Sequence, residues 1–191
     1  MIVSFDTAAF KDSPIHLVNI LSDLSSVGQW SLGSNPDVEE IVCRTPSSAL
    51  KYCQKVVHAY GLSAKGERVF LKNPGIGIRY LRLVGRSTFT DADTQRRFWR
   101  KVTNNAKLAY EWSKSFGQRL PEDNEMIFSE NLYFARMYAV KVIRGPFPEK
   151  VHHSILLRSF ENLDSFTKMH LSEYIKFAEA HGAKNLETTP D

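Results

Sequence analysis

What the 191-residue chain lacks narrows its character first. It has two cysteines, Cys43 and Cys53, too few for a disulfide scaffold and wrongly spaced for a CxxC metal or redox pair, so both are expected to be reduced and buried. No apolar run approaches the length that spans a bilayer. No signal peptide is apparent either, since Asp6 arrives early and no long apolar block follows. A disulfide-built secreted domain and a membrane-spanning protein are therefore not expected, and the location read from these absences is cytoplasmic. With 42% hydrophobic and 24% charged residues, the rest of the composition is that of an ordinary globular chain.

Catalytic signatures are missing as well. Gly75-Ile76-Gly77 has no third glycine at dinucleotide-fingerprint spacing, no GxxxxGK[ST] phosphate loop occurs, and Gly28 to Gly33 does not fit the GxSxG elbow. His152 and His153 are adjacent and would point to opposite faces of a strand. His170 and Glu173 stand three apart, but the partner motif of a carboxylate-bridged metal site is absent. No metal, cofactor or catalytic residue is assigned. A small nuclease using a histidine near an arginine, such as His152 with Arg158, stays as a third reading, because histidine can move the proton while arginine stabilises charge on phosphate.

Acidic residues are scarce in one part of the chain. Between Lys65 and Arg119 stand thirteen lysines and arginines against only Glu67, Asp91, Asp93 and Glu111, a net of +9. The remaining residues, with twelve cations and seventeen acids, carry −5. Such asymmetry points to a polyanionic partner.

At the centre of this region, Thr90 to Gly117 reads as one long amphipathic helix. Thr90 is the expected N-cap, Asp91 and Asp93 suit the positive end of the dipole, and Gly117 is a left-handed stop. At 100° per residue, Phe98, Val102, Ala106, Ala109, Trp112, Ser113 and Phe116 share an inner face. Arg96, Arg97, Arg100, Lys101, Asn104, Lys107 and Lys114 share the outer one. Like charges four apart, Arg96 with Arg100 and Arg97 with Lys101, repel, and a face built only for solubility usually mixes signs.

Elsewhere the pattern suggests strands at Met1–Phe5, Val38–Arg44, Arg68–Lys72, Ile76–Arg86, Leu132–Arg144 and Val151–Arg158, although at Leu132–Arg144 Ser129 followed by Glu130 could equally cap a helix and the aromatic and β-branched content decides for a strand. Helices are expected after Ser13-Pro14, after Thr45-Pro46 as far as Gly61, and from Leu163 to His181. In the strand at Ile76–Arg86, Tyr80, Arg82 and Arg86 fall on one face, where an aromatic ring could stack on a base and two guanidinium groups meet phosphate. Trp30 reads as a lid on the core, and no internal repeat stands out. The expected fold is α+β, a mainly antiparallel sheet with helices on one face, and the order from Val38 to Arg144 is compatible with a ferredoxin-like core. One globular domain is expected over residues 1–182, with a polar tail at 183–191.

The function this reading favours is non-enzymatic binding of RNA or single-stranded DNA, dominated by phosphate and of low sequence specificity, through the basic helix and the neighbouring sheet face. The second reading is a protein interaction or assembly module that self-associates into a homo-oligomer or docks on an acidic partner. No membrane partner is expected.

Overall fold

The computed structural model describes residues 7–10, 12–26 and 35–183. Among them there is no strand, and eleven α-helices alternate with short 3₁₀ and π turns. The expected α+β fold with its antiparallel sheet and ferredoxin-like core is thus overturned in favour of an all-helical one. The proposed strand at Met1–Phe5 and Trp30 lie outside the described residues.

Within the span expected to be one domain lie two compact units, Met1–Trp99 and Arg100–Asp191. The first contains α1 (Pro14–Ser26), α2 (Pro36–Val42), α3 (Pro46–Tyr52), α4 (Ala64–Glu67) and α5 (Pro74–Leu83). α6 (Ala92–Thr103) runs through the division. The second unit continues with α7 (Ala106–Phe116), α8 (Glu122–Glu125), α9 (Leu132–Tyr138), α10 (Glu149–Leu157) and α11 (Ser165–Ala180).

Each misread strand has a helical reason. Val38–Arg44 is mostly α2, begun by Asn35, whose side chain accepts the Asp37 and Val38 N–H groups ahead of Pro36 at the first helical position. Asn73-Pro74 repeats that start and sets off α5 across most of the supposed strand Ile76–Arg86. Asn131 caps α9 in the same way through the Phe134 N–H at 3.2 Å. In α9 the buried residues Leu132, Ala135, Tyr138 and the following Ala139 recur at helical spacing, so aromatic and β-branched content marked a core rather than a pleat. Arg68–Lys72 is a 3₁₀ turn, and Val151–Arg158 is largely α10.

The two units share an internal design carried by a few identical residues spread along each unit. At a constant offset of 58 residues (67 to 125), Leu62, Glu67, Phe70, Asn73, Tyr80 and Phe89 correspond to Leu120, Glu125, Phe128, Asn131, Tyr138 and Phe147. The contacts correspond too. The Leu62 N–H donates to the Tyr80 hydroxyl at 3.0 Å and that hydroxyl donates to Glu67 at 2.8 Å. In the second unit the Leu120 N–H donates to Tyr138 at 2.7 Å and Tyr138 to Glu125 at 3.1 Å. Tyr80 stacks on Phe70 at 4.5 Å and lies 9° from the plane of Phe89, while Tyr138 stacks on Phe128 at 4.1 Å and lies 9° from the plane of Phe147. A repeated supersecondary unit is therefore present.

Both carboxylates are fully buried, and each is neutralised by an arginine from a different place in the chain. Glu67 accepts Arg86 at 2.7 Å and the Thr90 N–H at 2.7 Å. Glu125 takes a two-pronged contact from Arg119 at 2.6 and 2.7 Å. The position matching Arg119 in the first unit is Gly61, at φ +72°, where a Cβ would come within 2.9 Å of the Tyr80 hydroxyl and 3.1 Å of Arg86. The position matching Thr90 is Pro148, which has no N–H to offer. Where the backbone donor is missing, the second arginine prong replaces it.

Burial, followed by the facing carboxylate, pushes the Tyr80 and Tyr138 hydroxyls well above their ordinary range, against the lowering effect of the leucine N–H bonds. Their protonated forms are favoured by folding, so this stabilisation is complete below about pH 10 and is lost as pH rises beyond it. Tyr80→Phe and Tyr138→Phe each leave a buried N–H and a carboxylate short of a partner. Each is expected to cost about 1–3 kcal/mol by urea denaturation at pH 7, with similar losses in the two units.

Candidate nucleic-acid interface

The expected single helix from Thr90 to Gly117 is two helices. α6 begins at Ala92, and its first turn is capped by Asp91, which accepts the Thr94 N–H at 2.9 Å and the Thr94 hydroxyl at 2.7 Å. The Thr94 hydroxyl and N–H hold the Asp91 carboxyl below its ordinary range. Thr90, the expected cap, is used otherwise: its N–H goes to Glu67 and its hydroxyl accepts from Arg86 at 2.7 Å. The break falls at Asn104-Asn105, where Asn105 turns extended and accepts the Leu108 N–H to start α7. Gly117 closes α7 in the left-handed conformation, as its position predicts.

The expected inner face survives this break. Phe98, Val102, Ala106, Ala109, Trp112 and Ser113 are buried, and Phe116 is half-buried. Gly77 of α5 lies against Phe98, so closely that a Cβ there would sit 3.0 Å from the ring.

All seven polar residues assigned to the outer face are exposed: Arg96, Arg97, Arg100, Lys101, Asn104, Lys107 and Lys114. Arg96 and Arg97 belong to the first unit and the other five to the second. Arg97 approaches Asp93 at 3.8 Å, with both side chains about 60% exposed, an arrangement that contributes little. Arg96, Arg100 and Lys101 have no carboxylate partner among the described residues. Lys114 lies 5.7 Å over the ring of Tyr110.

The residues assigned to the sheet face fare differently. Arg82 is exposed, on α5. Tyr80 is fully buried and its hydroxyl is engaged by Leu62 and Glu67, so it cannot stack on a base. Arg86 is tied to Glu67 and to the Tyr80 hydroxyl and serves the core. Both are withdrawn from the interface. The sequence concealed this because Glu67 lies 13 and 19 residues away from them.

The nuclease pair is separated by partners of its own: His152 Nδ1 is 2.7 Å from the Tyr174 hydroxyl, while Arg158 holds Glu161 at 2.8 Å. No group of three His, Cys, Asp or Glu side chains able to hold a metal ion occurs among the described residues. No described helix is long and apolar enough to cross a membrane. No protein-family model, curated protein or solved structure matches the chain.

The cysteines are free thiols. Burial, followed by the Glu39 charge, pushes Cys43 up to about 12. Little thiolate then exists at ordinary pH, and the thiolate is the reactive form. In the folded protein at pH 8, Cys43 is expected to resist iodoacetamide and to react fully once urea is added, as read by mass spectrometry of the peptide.

Proposed function

We propose that the chain is a non-enzymatic binder of RNA or single-stranded DNA that grips phosphate through the exposed cations of α6, Arg96, Arg97, Arg100 and Lys101. The observation that carries the proposal is that these side chains stand in solvent on one helix, and that Arg96, Arg100 and Lys101 have no carboxylate partner among the described residues, whereas Arg86 and Arg119 are each paired with a buried glutamate. Tolerating repulsion at i and i+4 on one helix is explained when phosphates lie across it. Arginine suits this role, since its planar fork meets two phosphate oxygens at once. With Tyr80 withdrawn, base stacking loses its assigned residue, and binding should depend on the backbone with low sequence preference. A cytoplasmic location belongs to the same reading.

The test is fluorescence anisotropy with a labelled single-stranded oligonucleotide across a salt series. Four phosphate contacts on a single strand should give a slope of log K against log salt of about −3. Arg97→Glu combined with Arg100→Glu should remove binding at physiological salt, with the helical circular dichroism retained. A double variant that binds as well as the parent would overturn the proposal.

A further inference from the structure

The second unit contains a cavity of about 350 Å³ between the start of α9 and α11, of the size that takes a small organic molecule. Its walls are aromatic, from Tyr133, Phe134 and Phe166, and Arg158 stands among its lining residues. At its buried side is His170, only 4% exposed. The rings of Tyr133 and Phe166 meet the imidazole edge-on at 5.0 and 4.4 Å. Those two rings are unusually open for their size, at 39% and 60% exposure. Apolar area is thus left uncovered beside a buried polar group.

His170 is held by an oriented chain of charge. Arg136 reaches Glu173 Oε2 at 3.0 Å, and that oxygen lies 3.3 Å from His170 Nδ1, near enough to attract its proton though outside hydrogen-bond alignment. A carboxylate beside Nδ1 favours the proton there and leaves Nε2 as an acceptor. Nε2 has no hydrogen-bond partner. Buried acceptors in folded proteins are nearly always satisfied, and an enclosed, unpaired one on a residue that lines a cavity marks the place where a ligand's donor belongs.

We propose that this cavity is a binding site for a small planar aromatic molecule bearing an O–H or ring N–H donor. The ring is covered by Tyr133 and Phe166, and the donor is received by His170 Nε2. The site lies wholly in the second unit and does not depend on nucleic-acid binding by α6.

Indole and phenol are suitable probes, with 1-methylindole and anisole as counterparts that lack the donor. Calorimetric titration of the full chain should show saturable one-to-one binding of indole or phenol, with the methylated counterpart weaker by about tenfold or more. Phe166→Ala, a change at an exposed side chain, should weaken the probes by about tenfold with circular dichroism unchanged. His170→Phe keeps an aromatic ring but removes the acceptor, and it should abolish the preference for the donor-bearing probe. Failure of both probes to saturate would overturn the proposal. So would equal affinity for indole and 1-methylindole in the parent protein, or unchanged probe binding in Phe166→Ala, and these two hold even if His170→Phe does not fold.

Discussion

The fold depends on burying one carboxylate in each unit without leaving it unpaired. An isolated charge removed from water is prohibitively costly, whereas one held by a tyrosine hydroxyl and an arginine is tolerable and fixes its surroundings. Glu67 and Glu125 are fully enclosed, and each ties the turn that follows a short helix to the tyrosine of the next long helix. The same tyrosine hydroxyl receives the leucine N–H just before that short helix. A single network therefore closes the loop between its elements, and the phenylalanines stacked on the tyrosine ring pack the space around it.

The two units solve the problem with different arginines, and the differences are coupled. Arg86 follows its tyrosine and needs Gly61 to leave room, whereas Arg119 occupies the position of Gly61 itself. Thr90 supplies a backbone N–H where Pro148 has none, and Arg119 contributes a second prong instead. Compensation of this kind lets Gly61/Arg119 and Thr90/Pro148 differ while the leucine, glutamate, phenylalanine and tyrosine they serve are the same in both units. What is preserved is the set of interactions, and substitution is permitted wherever the geometry can be met from elsewhere.

The sequence made the apolar side of the central segment legible. Phe98, Val102, Ala109 and Trp112 follow helical spacing through a strongly polar stretch, and they are buried as that spacing requires. Proline after a capping residue located the starts of α1 and α3. At Asn35-Pro36 and Asn73-Pro74 the same signal is less decisive, because asparagine and proline serve loops as readily as caps. Segments such as 76–86 and 132–144 are rich in aromatic and branched residues, whose strand preference is overridden when they face a helical core. The cationic face was legible because exposure needs no partner. The roles of Tyr80 and Arg86 were not, since both are decided by Glu67, which local spacing does not bring near.

Two sets of cations thus stand in contrast. Those at Glu67 and Glu125 are paired with a buried carboxylate, and Arg96, Arg100 and the neighbouring Lys101 remain in solvent with no carboxylate partner among the described residues. Chemical footprinting of lysines separates a solvated face from an occupied one directly: acetylation of Lys101 is followed by mass spectrometry with and without a saturating single-stranded oligonucleotide, with exposed Lys176 of α11 as an internal reference. The account predicts that Lys101 becomes several-fold less reactive when the oligonucleotide is bound, while the reference is unchanged. Undiminished reactivity of Lys101 in a demonstrably saturated complex would contradict it.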